Sequence, residues 1–290
     1  VRPDRFLPAF VAGMELLNRL KDPRYFQIAV LSSLLCFGVL MLDFGIRWQN
    51  AVTIIVTALV VQLMGTRFAR LPRFDPLSPL ITSLSLTLLL RTEYALLAAA
   101  AAAIAIGSKF LIRVNGKHVF NPANLALVSM MLLTDLAWVS SGQWGSAAIG
   151  AFTLSCLGFL VLTRARRAET TIAFLLLFGC ALVARATWLG DPLSIPLHQL
   201  QNGALLIFAF FMISDPMTTP NSPAGRVLFA ALVAAVAYTI QFVFYMPNGP
   251  ILALIMACPA VPLIDRLMRG HAYSWHGSVA QARKTMKGVY

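Results

Sequence analysis

"DPLSPL", residues 75–80, returns as "DPLSIPL", residues 191–197. A weaker echo joins "FNPANLALV", residues 120–128, to "MPNGPILALIM", residues 246–256. Each copy opens an apolar segment. Ten such segments run along the chain: 26–42, 50–65, 76–90, 94–112, 122–139, 144–163, 170–187, 198–213, 226–245 and 249–265. Their lengths approach the roughly 20 residues that carry a helix across a hydrocarbon core of about 30 Å. The first echo opens the third and eighth segments, the second the fifth and tenth. The chain therefore divides into two units of five spans, and an odd number of spans inverts the second unit. The expected fold is all-α: a polytopic membrane protein of about ten transmembrane helices in two inverted five-helix repeats. Inverted repeats with interrupted helices at matching places point to a site where the repeats meet. The expected organisation is a cytoplasmic leader at 1–25, the first repeat at 26–140, the second at 141–268, and a basic cytoplasmic tail at 269–290. Within the leader, "RFLPAFVAGMELLNRLKD" reads either as an amphipathic helix on the inner membrane face or as a solvated segment.

Composition agrees. Of 290 residues, 59% are hydrophobic and 12% charged, too little charge to cover a soluble domain. The net charge of +12 does not indicate a nucleic-acid partner, because the basic residues form no single patch. With both termini on the cytoplasmic side, all but Arg47, Arg91 and Arg185 of the 23 basic residues fall in inside segments. Basic residues in short cytoplasmic loops set orientation, so the charge reports topology. Cys36, Cys156, Cys180 and Cys258 lie in apolar spans with no CxxC pair, which suits packing residues better than disulfides or a metal cluster. The histidines show no HExxH or other ligand spacing, so no metal is expected. Residues 1–25 are charged and only patchily apolar, which is no cleavable signal pattern. Asp43, Glu93, Asp135, Glu169, Asp191, Asp215 and Asp265 all sit at span ends. Ion pumps usually keep an ionisable group within the membrane, so a complete pump in this chain alone is not expected.

Three stretches carry candidate chemistry. The apolar run "GALLIFAF", residues 203–210, is followed by "FMISDPMTTPNSPAGR", residues 211–226. Asp-Pro also occurs at Asp75-Pro76 and Asp191-Pro192, where an N-cap followed by proline in the first turn is sufficient explanation. Asp215-Pro216 ends a span instead, and the next helix is expected near Ser222-Pro223. Residues 214–221 thus form a proline-stiffened loop that offers Ser214, Asp215, Thr218 and Thr219 at a fixed place. In "NGKHVFNPANLALV", residues 115–128, Asn121-Pro122 reads as cap and first helical residue, with Asn124 one turn on and Lys117 and His118 just before. Topology places both runs on the cytoplasmic side, where helix starts favour anions and electron-rich carbonyls. "PAVPLIDRL", residues 259–267, ends the tenth span on that side, with Asp265 and Arg266 reading as a helix end at the headgroups. The third span carries Ser78, Thr82, Ser83, Ser85 and Thr87; the eighth carries His198, Gln199, Gln201 and Asn202. In lipid such groups bond between helices or line a cavity.

Together, "FNPANLALV", "LQNGALLIFAFFMISDPMTTPNSPAGRVLFAAL" and "PNGPILALIMACPAVPLID" resemble the RnfD/NqrB family. Its members are membrane subunits of the Rnf electron-transport complex and of the sodium-translocating NADH:quinone oxidoreductase. The resemblance runs from about residue 25 to 273. It implies ten helices in two repeats, flavin chemistry and other membrane subunits of a multi-subunit complex in a bacterial inner membrane. Family members carry FMN on a threonine of an S-x-A-T-like motif in a long outside loop after helix five. Here that loop is only "TDLAWVSSGQWG", residues 134–145, without such a threonine, so covalent FMN is not expected. The resemblance implies instead a non-covalent flavin, riboflavin or FMN, or a quinone, on the cytoplasmic side. Lys117, His118, Phe120, Asn121, Asn124, Phe211, Ser214, Asp215, Thr218 and Thr219 are the expected binding residues. Phe120 and Phe211 would wall the ring. The chain then reads as a redox subunit and not a complete enzyme. Two rivals remain at this level: a transporter or channel-like protein for a flavin or small solute, and a structural subunit with a degenerate cofactor site.

Overall fold

The computed structural model describes residues 22–139, 168–271 and 273. The expected sixth span, 144–163, Cys156, and nearly all of the leader and tail lie outside these residues.

Side-chain caps followed by proline start several of the described helices, as the dipeptides require. Helix α1 (Pro23–Met41) begins where Asp22 accepts the Arg24 N–H at 3.0 Å. After α2 (Trp48–Phe68), Asp75 accepts the Leu77 N–H at 3.1 Å and opens α3 (Leu77–Leu89). Helix α4 (Ala95–Leu111) follows. Asn121 then caps α5 (Pro122–Leu133) by accepting the Asn124 N–H at 3.1 Å. The second half holds α6 (Ala168–Leu189), α7 (Ser194–Leu200), α8 (Gly203–Ile207) and a π-helical turn at Phe208–Met212. Then come α9 (Pro223–Phe242), capped by Ser222 at 3.1 Å to the Gly225 N–H, and α10 (Gly249–Ala257). A 3₁₀ turn at Cys258–Ala260 leads into α11 (Val261–Leu267). Asp191 departs from expectation. It does not cap a helix, because α7 starts only at Ser194; its carboxylate lies 3.8 Å from Arg185.

Among the described residues, five helical stretches are long and apolar enough to cross a membrane: α1, α2, α6, α9 and Gly249–Leu267. The pair Ser194–Leu200 and Gly203–Met212 is a sixth, bent by 49°. Exposed apolar side chains such as Phe68 (87%) and Trp188 (89%) suit lipid contact. The chain is a multi-pass, mainly helical membrane protein.

The third and fifth spans are shorter than expected. At about 1.5 Å per residue, α3 and α5 reach only roughly 20 Å, less than a hydrocarbon core. Both lead into strand. Strand β1 (Leu90–Thr92) pairs antiparallel with β4 (Ala137–Val139), with Leu90 opposite Val139 and Thr92 opposite Ala137. The expected all-α class stands, with this short ribbon beside the helices. Backbone that leaves the helix at membrane depth must find partners, and here two span ends satisfy each other.

A second ribbon lies at the other end of α4. Strand β2 (Arg113–Val114) pairs with β3 (Lys117–His118) across Asn115 and Gly116, whose φ values are 51° and 80°. Two central residues at positive φ are what a tight hairpin needs, and Asn-Gly supplies them at least cost.

Helix α3 is buried from Thr82 to Leu89. Ser78 bonds across helices, accepting the Lys109 ammonium of α4, and Ser78, Thr82 and Ser85 line a cavity. Thr82, Ser83 and Thr87 donate to carbonyls four residues back, at 3.1, 2.8 and 2.9 Å. The alanine run of α4 packs against α2, with Ala98, Ala101, Ala102 and Ala105 fully buried, as close approach in lipid favours.

The π turn has a local cause. The Ile213 N–H bonds the Phe208 carbonyl at 3.0 Å, not the Ala209 carbonyl. The released Ala209 oxygen accepts the Thr171 hydroxyl of α6 at 2.5 Å. A side chain from a neighbouring helix thus takes the place of the missing intrahelical bond.

Candidate functional site

The Asn-Gly hairpin sets the site from one side. Successive strand residues point to opposite faces, and Lys117 and His118 use both. Lys117 Nζ donates to the Thr219 carbonyl at 2.6 Å, to Asn221 Oδ1 at 3.1 Å and to Asp265 Oδ2 at 3.0 Å. Asp265 Oδ1 in turn accepts the Asn221 N–H at 2.7 Å. Asp265 is therefore more than a headgroup-level helix end. It ties the hairpin, the loop after Asp215 and the end of the last span together. His118 turns toward α4 and a cavity. Its Nδ1 is buried without a hydrogen-bond partner among the described residues. Burial, with Lys109 and Arg113 nearby, lowers its pKa to about 4 against an opposing contact with the Lys109 main chain, so the ring is neutral at pH 7.

The Asp215 loop sets the other side. Asp215 Oδ1 accepts the Met217 N–H at 2.9 Å. The Asp215 carbonyl accepts the Thr218 and Thr219 N–H groups, both at 3.1 Å, and the Thr219 hydroxyl at 3.0 Å. Asn121 Nδ2 donates to Asp215 Oδ2 and to the Met212 carbonyl, each at 3.3 Å. The cap of α5 therefore also bridges to the end of the eighth span.

Between these sides lies a cavity of about 270 Å³. Of the ten expected residues it gathers His118, Asn121, Phe211, Ser214 and Asp215. Ser214 donates to the Phe210 carbonyl at 2.6 Å. The other five lie around it. Lys117 is in its clasp, and Thr218 and Thr219 are buried inside the loop. Asn124 donates to the Ile251 carbonyl at 3.1 Å and joins the fifth span to the tenth. Phe120 packs against the core, and the aromatic wall is Phe110 with Phe210 and Phe211.

Sequence reasoning missed the floor. Lys109 is 6% exposed and donates to Ser78 Oγ at 2.6 Å and Gln62 Oε1 at 3.3 Å. Beside it, Arg24 bridges Asp22 and Asp75 at 2.7 and 2.6 Å. The signal was present in the helical period. Lys109 continues the buried face of Ala98, Ala102 and Ala105, whereas a charge serving topology alone would leave that face.

The residues around the first cavity suit a flat ring: an aromatic wall, the Lys109 ammonium, and the His118 nitrogen without a partner among the described residues. The cavity volume is near the lower end of small-molecule sites, about 300 Å³. A second cavity, also about 270 Å³, is lined by Gln199, Asn202, Gln241 and Asn248 with Phe178 and Phe208. It carries no charged side chain.

Residues 132–274 match the model of the NQR2, RnfD, RnfE family. Among curated proteins, similar relatives are D-type subunits of the ion-translocating oxidoreductase complex. That of Shewanella amazonensis is 37% identical over 89 residues, 31% of this chain and 26% of that protein. That of Haemophilus influenzae strain KW20 is 34% identical over 111 residues, 38% of this chain and 31% of the relative. That of Klebsiella pneumoniae strain 342 is 34% identical over 144 residues, 49% and 38% respectively. The chain thus matches well under half the length of these relatives.

Proposed function

We infer, for a chain that belongs through residues 132–274 to the NQR2, RnfD, RnfE family, that it is an integral membrane subunit of an electron-transport complex. In this reading it holds a non-covalent flavin or a quinone in the cavity between the Asn121 helix start and the Asp215 loop. Its partners are other membrane subunits of that complex, in a bacterial inner membrane with both termini cytoplasmic. The relatives' name, as subunits of an ion-translocating oxidoreductase complex, supports the setting. The observation that carries the site is the buried, unpartnered Nδ1 of neutral His118 on a cavity with an aromatic wall. A buried polar atom without a partner is rare in proteins unless something else meets it.

The bound group supplies electron transfer, and the protein supplies place and polarity. Phe110 and Phe211 cover the ring. Lys109 offers an N–H donor to a ring oxygen, and neutral His118 offers Nδ1. The β2–β3 ribbon and the Lys117 clasp hold His118 at its place.

The test is an absorbance and fluorescence spectrum of detergent-purified protein, before and after acid precipitation, with a solvent extract assayed for quinone. Flavin in the supernatant or quinone in the extract is the expected result. Flavin retained on the pellet would mean covalent attachment. Folded protein with neither would overturn the reading.

One observation favours transport as a second reading. The bent eighth span and the short third span fall at matching places in the two expected repeats. The amide-lined second cavity draws on the eighth and tenth spans as the first draws on the third and fifth. Such a pattern suits two inverted half-sites. Solute uptake into vesicles containing the purified protein separates this reading from a redox subunit.

A further inference from the structure

The first cavity holds a cation whose partners do not match its charge. Lys109 Nζ has two acceptors, Ser78 Oγ and Gln62 Oε1, and both are neutral. An ammonium carries three N–H donors, so one is left for another acceptor. The nearby acids are engaged elsewhere. Asp75 is bonded by Arg24 at 2.6 Å, and Asp215 is bonded by Asn121 and the Met217 N–H. Among the described residues no carboxylate forms an ion pair with Lys109. Taking an ammonium out of water with neutral hydrogen-bond partners and only through-space support from Asp75 and Asp215 is costly, and such residues in membrane proteins mark a ligand or a path for one. Arg24, Arg73 and Arg113 line the same cavity with Lys109, against the carboxylates of Asp75 and Asp215, so a negative group entering it meets a net positive lining.

Resting on the reading of this cavity as a ring site, we propose that Lys109 is its specificity-determining residue. Its free N–H donates to a ring oxygen that bears negative charge. Ser78 and Gln62 hold the ammonium at the cavity wall, and Phe110, next in sequence, lies against the ring. The ligand class is a planar carbonyl-bearing ring with an ionised oxygen, and the site binds that form above its neutral counterpart. For a ring that exists in two states of charge, the more negative state is held more tightly.

Two bicyclic quinones of similar size test this: menadione, which is neutral, and 2-hydroxy-1,4-naphthoquinone, which is ionised at neutral pH. Binding to the full chain in detergent is measured by equilibrium dialysis. The Ser85→Trp variant, which fills the cavity, separates site binding from partition into micelles. The hydroxyquinone is expected to bind at least about tenfold more tightly, the usual size of one hydrogen bond to a charged group. In Lys109→Met that ratio is expected to fall to near one, because the hydroxyquinone loses more than menadione does. A ratio near one in the wild type, or one that survives Lys109→Met, overturns the proposal. If Lys109→Met does not fold, the wild-type ratio decides. Site binding of menadione without a preference defeats the role of Lys109 alone. Binding of neither quinone that depends on Ser85 defeats the ring-site reading and this proposal with it.

Discussion

Asn121 and Asp215 stand 94 residues apart in sequence and meet side chain to side chain, with Nδ2 of Asn121 donating to Oδ2 of Asp215 at 3.3 Å. The same asparagine caps α5 through its Oδ1. One side chain therefore fixes a helix start and docks it on the loop that ends the eighth span.

Asp215→Asn tests that bond. The substitution keeps one oxygen for the Met217 N–H but sets an amide N–H₂ against that of Asn121. A buried group left unsatisfied costs about 1–3 kcal/mol, so the thermal midpoint in detergent is expected to fall. Bound flavin or quinone is expected to fall with it. Full retention of the ligand with only a lower yield of folded protein would make the loop a helix connection and nothing more.

The Lys117 clasp gives a second prediction. Lys117 and Asp265 are 16% and 18% exposed as side chains, so their bond is largely shielded from solvent. Hydrogen bonds to charged groups contribute about 1.5–3 kcal/mol, and Lys117→Met or Asp265→Asn is expected to cost about that much. The double variant should cost clearly less than the two single costs added. Thermal denaturation of all four proteins provides the cycle; strict additivity would show that the pair does not act as one unit.

His118 predicts a pH response. Its pKa in the fold is lowered to about 4, against an ordinary value of 6.5. Between those values the unfolded chain binds a proton that the folded chain does not, so stability rises with pH across that window. The contribution is complete above about 6.5 and fades as pH falls toward 4. The thermal midpoint of the wild type should therefore drop between about pH 7 and pH 5. His118→Gln should flatten that part of the profile, and an unchanged slope would refute the assignment.

Thr171→Val tests the π turn. Valine keeps the shape and removes the hydroxyl that the Ala209 carbonyl accepts. The expected loss is about 1–3 kcal/mol, read as a lower thermal midpoint, with the other helices unaffected by circular dichroism. No change would mean that the carbonyl finds another donor.

Much of this architecture is legible in the sequence where a side chain states its own geometry. Asp22-Pro23, Asn121-Pro122 and Ser222-Pro223 start helices by the same cap, and each is readable from two letters. Asn115-Gly116 states a hairpin just as plainly, yet reads as mere flexibility beside two basic residues. The β1–β4 pairing is hidden for a different reason. Leu90 and Val139 lie in unbroken apolar runs, where helix and strand are equally apolar and hydropathy cannot separate them. Gln62 and Lys109 are hidden because polar residues near span ends are normally explained by topology. Only their meeting across α2 and α4 shows that they share a buried bond.

The turn at Phe208–Met212 holds one residue more than an α-helix would place there. Each residue of α-helix advances the chain by roughly 100° about its axis. Were this turn to close as ordinary α-helix with all its residues kept, everything beyond it would swing by about that angle. Asp215 would leave Asn121, and the Ala209 oxygen would no longer be offered to Thr171. The turn works as a spacer shim: its surplus residue sets the rotational phase at which the eighth span delivers its carboxylate.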